Sequence, residues 1–116
     1  MEFVLPIKTV NESNGSHGHW SVKSQRRASH RTAVWGAMSG KVLPGLPVVV
    51  TLTRIGAGEL DPHDNLPGSF KAVADQIAEQ YGIADKDKRL GWQYAQEKAK
   101  RGTYGVRVRI ETRGET

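Results

Sequence analysis

The segment Glu59-Leu60-Asp61-Pro62-His63-Asp64-Asn65 sets two aspartates close together just ahead of a helical stretch, and Asp85 and Asp87 follow that stretch. Carboxylates crowded together raise one another's pKa unless a cation neutralises them. Oxygen ligands of this kind suit a hard ion, Mg²⁺ or Mn²⁺, which keeps several waters and binds substrate phosphate. Such an ion stabilises charge developing on a phosphoryl group and activates an attacking water. The same residue types are also ordinary turn and cap residues of solvated loops, and spacing alone leaves both readings open. Lys71 bears on the choice. Pro67, Gly68 and Ser69 put it in the first turn of its helix, where the dipole disfavours a cation by roughly 0.3–1 kcal/mol. Asp75, one turn later, can pair with it, in the less favourable order of base before acid. A lysine there is accounted for if acids or a phosphate lie nearby; otherwise it is simply solvated.

Few other reactive constellations compete. His17 and His19 have an alternate spacing able to bind metal, but no third ligand adjoins them, and solvent or DNA contact is the simpler role. His63 lies inside the acidic loop as a further ligand or proton carrier of low weight. The chain has no cysteine, which excludes disulfides, thiolate metal sites and a cysteine nucleophile and suits a reducing cytoplasm. No phosphate-binding loop, dinucleotide fingerprint or nucleophile elbow is present, so no small-molecule cofactor is expected. Glu2 stands where a signal peptide needs a base, and no segment approaches the roughly 20 apolar residues that span a bilayer.

The net charge of +5 favours an anionic partner, because each Lys or Arg that meets a phosphate releases a counterion. The segment from Lys23 to Lys41 has five cationic residues and no acid. Lys23, Arg27 and Arg31 recur one helical turn apart, with Arg26 and His30 beside them, and a stripe of this kind is able to follow a phosphate backbone. Lys98, Lys100 and Arg101, at an expected hairpin turn, form a second candidate patch. Both patches are equally readable as solvated faces. Trp20, Trp35, Trp92 and Tyr94 are expected in the core or at a dimer contact.

The elements that position these residues follow from periodicity. Phe3, Leu5 and Ile7 alternate as a first strand, and Asn11 to Gly18 is a loop. Ser21 is a plausible N-cap for a helix to about Met38, stopped by Ser39-Gly40. Leu46 to Leu52 is β-branched and continuous, the pattern of a central strand buried on both faces. Phe70, Val73, Ala74, Ile77 and Tyr81 mark a second helix, ended by Gly82. Strands follow at about Arg89 to Lys98 and Tyr104 to Thr112, joined by the turn-like Lys100-Arg101-Gly102-Thr103. The expected fold is one α+β domain over residues 1–116, ordered β-α-β-α-β-β, with a mixed four-stranded sheet and two helices mainly on one face.

Three stretches together carry a resemblance: Asp61-Pro62-His63-Asp64-Asn65-Leu66, then Phe70-Lys71-Ala72-Val73-Ala74-Asp75, then Ile83-Ala84-Asp85-Lys86-Asp87. An aspartate, then Asp-Asn-Leu, then Lys-xxx-Asp on a helix, then an acidic turn is similar to the signature of RusA-type Holliday junction resolvases, in particular phage members. Leu5-Pro6 with its Asn-bearing loop and Arg89-Leu90-Gly91-Trp92-Gln93-Tyr94-Ala95-Gln96 extend the likeness over nearly the whole chain. The resemblance implies a Mg²⁺- or Mn²⁺-dependent endodeoxyribonuclease of DNA recombination and repair that nicks four-way junctions as a homodimer. It implies Asp61, Asp64 and Asp85 as metal ligands, Asp87 as substitute for Asp85, and Lys71 as the catalytic group at the scissile phosphate. Asp61 precedes Asp64 by three residues where the family has two, and this departure supports the alternative of a catalytically degenerate DNA-binding module of the same fold. A non-enzymatic structural or interaction protein of phage type is the third reading.

Overall fold

The computed structural model describes residues 1–9, 20–58 and 65–113. Their elements are β1 (Glu2–Leu5), α1 (Trp20–Met38), β2 (Val48–Gly56), α2 (Asn65–Ser69), α3 (Lys71–Tyr81), β3 (Leu90–Lys98) and β4 (Gly105–Thr112). The β-branched run beginning at Val48 becomes a central strand because each alternate residue finds an apolar layer. Val48, Val50 and Leu52 are fully buried, and so are Val106, Val108 and Ile110 beside them on β4. Phe70, Val73 and Ile77 of the helical layer close over this face, with Val34 and Met38 of α1.

The sheet runs β1-β4-β2-β3, with β3 parallel to β2 and β4 antiparallel to both β1 and β2. The mixed four-stranded α+β architecture is the one expected from the sequence, with α2 added as a short turn ahead of α3. Both long helices lie against each other on the face of the buried valines. The other face carries Val49, Thr51 and Thr53, each only partly buried. The expectation of a strand buried on both faces is therefore corrected: β2 is central within its sheet, yet covered on one side. Its threonines suit that half-covered pleat. No described helix is long and apolar enough to cross a membrane.

A second correction concerns the last two strands. Lys100 to Thr103 does form a turn, closed by a 2.9 Å hydrogen bond from the Thr103 N–H to the Lys100 carbonyl, with Gly102 at φ 89°. That positive φ at the third position of the turn is one that glycine adopts without a Cβ penalty. However, β3 and β4 do not pair as a hairpin, because β2 lies between them. The connection instead arches over the end of β2, where the Ala99 N–H donates to the Gly56 carbonyl at 2.9 Å.

Candidate active site

Lys71 is the first residue of α3, directly after Phe70, which supplies no side-chain cap. Asp75 sits one turn further on the same face, and α3 stops at Gly82, whose φ of 71° is left-handed. There the chain folds back along the helix, with the Ile83 N–H on the Ala78 carbonyl at 3.1 Å. Trp92 of β3 fixes the returning segment by donating its indole N–H to the Asp85 carbonyl at 2.8 Å. The result is a three-residue cluster. Lys71 Nζ lies 3.1 Å from Asp75 Oδ1 and 3.1 Å from Asp85 Oδ2. The two carboxylate oxygens are thus at most two such distances apart.

Hydrogen bonds to Asp75 first, and then to Asp85, hold the Lys71 ammonium above its ordinary pKa. Two acids on one base leave the cluster with a net negative charge, and this offsets the cost of a cation at a helix N-terminus. Asp75 and Asp85 open on a shallow recess of about 400 Å³ that Arg31 and Glu79 also line. On the β3 side stands Tyr94, 39% exposed and stacked on Phe70 with ring centroids 5.8 Å apart. Burial foremost, and then the Asp85 charge, push the Tyr94 hydroxyl up in pKa, while Lys71 acts in the opposite sense. Tyr94 thus flanks the cluster while its ring packs on the core residue Phe70.

Asp87, the expected substitute for Asp85, has another partner. Its carboxylate accepts from the Arg89 backbone N–H, from Arg89 Nε at 2.9 Å and from Nη2 at 2.7 Å. The Arg89 side chain lowers its pKa to about 2. The geometry thus favours Asp85 over Asp87 at the lysine. Asp61, His63 and Asp64 lie outside the described residues, as do His17 and His19. Among the described residues no group of three or more His, Cys, Asp or Glu side chains is placed to hold a metal ion. The oxygen donors of Asp75 and Asp85 fit part of a hard-cation site. A full ligand set needs the acids at 61 and 64, and Asp64 directly precedes Asn65, the first residue of α2.

The basic residues divide in a way the helical stripe did not anticipate. Arg31 is drawn to Glu79 of α3 at 3.2 Å, Arg27 is exposed, and Lys23 lies in the first turn of α1. Arg26 instead faces the segment after β1, where His30, 5% exposed, makes a 3.2 Å hydrogen bond between its Nε2 and the Lys8 carbonyl. Lys98 and Lys100 are exposed at and beyond the end of β3, and Arg101 lies in the arch over β2. Sequence reading missed three residues here. Arg54 is on the core face of β2, Lys8 follows β1, and Tyr104 precedes β4. Arg54 was readable as a charge breaking an otherwise apolar alternation; Lys8 and Tyr104 gave no signal without the topology.

In comparison with known proteins, no family model matches the chain and no curated protein matches it.

Proposed function

We propose that this protein is a divalent-metal-dependent endonuclease that nicks branched DNA, of the kind its sequence resembles, acting as a homodimer. The observation that carries this reading is the meeting of Lys71, Asp75 and Asp85 at 3.1 Å contacts. Lys-xxx-Asp and the acidic turn are separate motifs of the signature, and they converge on one ammonium. Asp61, Asp64 and Asp85 would hold Mg²⁺ or Mn²⁺. When bound, the ion supplies a more acidic water and a counter-charge for the phosphoryl oxygens. Lys71, 62% exposed, donates to a non-bridging oxygen of the scissile phosphate as negative charge grows there. Asp75 holds the ammonium in place through the i,i+4 contact. Water adds to phosphorus, the phosphodiester bond breaks, and the leaving oxygen takes up a proton.

One observation favours a second reading, the degenerate DNA-binding module. The Lys71 ammonium already pairs with Asp75 and Asp85 and offsets one of their two charges, so the contact between them forms with no metal bound. The test is nicking of a synthetic four-way junction with Mg²⁺ and with chelator, comparing wild type, Asp85→Asn and Asp87→Asn. Metal-dependent nicking lost in Asp85→Asn and kept in Asp87→Asn supports the enzyme. Junction binding without nicking in the wild type supports the module.

A further inference from the structure

We propose that the trough between the β3–β4 arch and the segment after β1 binds an unpaired DNA strand, with Tyr104 stacking on a base between phosphate-binding cations. The proposal rests on the reading above in taking DNA as the anionic partner, and it adds a site away from the acidic cluster. Two recesses meet there. One, of about 220 Å³, lies under the arch and is lined by Arg54, Arg101 and the Gly56–Gly58 bend. The other, of about 400 Å³, is lined by Arg26 and His30 of α1. Both are lined by Lys8 and Tyr104, so the two recesses adjoin at those side chains. Four of the lining side chains are cationic, and among the described residues no Asp or Glu lines either part. Arg26 of the first basic patch and Arg101 of the second thereby flank the same two side chains, Lys8 and Tyr104.

The fold builds this trough deliberately at three points. The arch hangs over β2 because β3 and β4 flank it. Pairing of Leu5 with Val106 brings the chain after β1 beside Tyr104. Arg54 Nε donates to Thr9 Oγ1 at 3.1 Å, and its Nη1 donates to the Gly58 carbonyl, so the guanidinium is fixed before any ligand arrives. A Cβ at Gly56 would stand 3.1–3.2 Å from that guanidinium, so a side chain there would require the Arg54 head group to shift. Pre-ordered guanidinium groups bind phosphate with less entropy lost per bond.

Tyr104 is 52% exposed between these cations. An exposed aromatic ring interleaved with bases matches the alternation of base and phosphate along a single strand. In duplex DNA the faces of the bases are covered by their neighbours, so an aromatic ring finds no free face to stack on. An unpaired strand offers those faces freely. Bases of that kind are what a branch point exposes when its arms open.

The probes are a fluorescent twelve-nucleotide oligo-dT and a duplex of equal length, titrated with the whole chain by anisotropy in chelator. Oligo-dT should bind more tightly than the duplex. Tyr104→Ala should weaken oligo-dT binding by about tenfold or more, whereas Tyr104→Phe, which keeps the ring, should retain it. Arg101→Ala, at an exposed turn, should flatten the slope of log K against log salt by about 0.7. Arg109→Ala, on the opposite sheet face beside Glu111, should change nothing. Duplex binding as tight as oligo-dT, wild-type affinity in Tyr104→Ala, or equal displacement by polyglutamate would each overturn the proposal. Tyr104-dependent strand binding in a protein that never nicks a junction upholds this site and removes the nuclease reading. Nicking with no effect of Tyr104→Ala on strand binding does the reverse.

Discussion

Lys71 is both counter-ion and competitor in the acidic cluster, and its removal separates those roles. Its ammonium stands between Asp75 and Asp85, so on the proposed ligand set a metal ion would compete with it for Asp85. Lys71→Met keeps most of the stem and removes the charge. Divalent-ion binding, followed by calorimetry, should therefore tighten, while nicking falls because the phosphate loses its donor. Weaker ion binding in that variant would contradict the site. Asp87 has a different task, which pH reveals. Its pKa in the folded chain, about 2, lies below the ordinary carboxylate value of 3.8. Its pairing with Arg89 thus stabilises the fold above pH 3.8 and is lost as pH falls through 2. Asp87→Asn should lower Tm at neutral pH, with the gap to wild type closing between pH 4 and 2. A gap that stays constant across that range would assign the loss to something other than the ion pair.

Helices proved easier to read than strand neighbours at the scale of elements. The apolar spacing from Phe70 to Tyr81 and the stop at Gly82 correspond to α3 and its left-handed cap, because both signals are local. The end of α1 at Met38, ahead of Gly40 at φ 74°, was legible for the same reason. The β3–β4 connection was not. Lys100-Arg101-Gly102-Thr103 has the chemistry of a tight turn and makes one, but turn residues do not reveal which strand passes beneath. The parallel pairing of β2 with β3 is a long-range choice, and it converts an apparent hairpin into an arch. The site shows the same division. Lys71 with Asp75 follows from helical spacing, whereas the approach of Asp85 depends on the reversal at Gly82. Gly82→Ala tests that link. Nothing lies within 4 Å of an added Cβ, so the cost is that of the left-handed backbone, about 1–2 kcal/mol. Chemical denaturation should show that loss, and nicking should fall further than stability alone explains because Asp85 is displaced. Unchanged stability would mean that the turn relaxes freely.

Among the described residues, the cluster of Lys71, Asp75 and Asp85 and the cationic side chains of the proposed strand site lie around a single four-stranded sheet. Under the proposed function a junction has two strands to cut, so a chain bringing one described acidic cluster would act as a pair; closed two-fold assembly is also the commonest oligomer. Sedimentation at micromolar concentration should give twice the chain mass of 12.8 kDa. A monomer both with and without DNA would argue against paired nicking. The most direct test of the central claim is nicking of a four-way junction in Mg²⁺ by wild type and Asp64→Asn, with junction binding measured in chelator. Asp64→Asn keeps size and hydrogen-bonding capacity while removing one negative charge from the proposed ligand set. The account predicts metal-dependent nicking by the wild type, a loss of orders of magnitude in Asp64→Asn, and junction binding that persists or tightens. Full cleavage by Asp64→Asn, or a wild type that binds junctions in Mg²⁺ without cutting them, would contradict it.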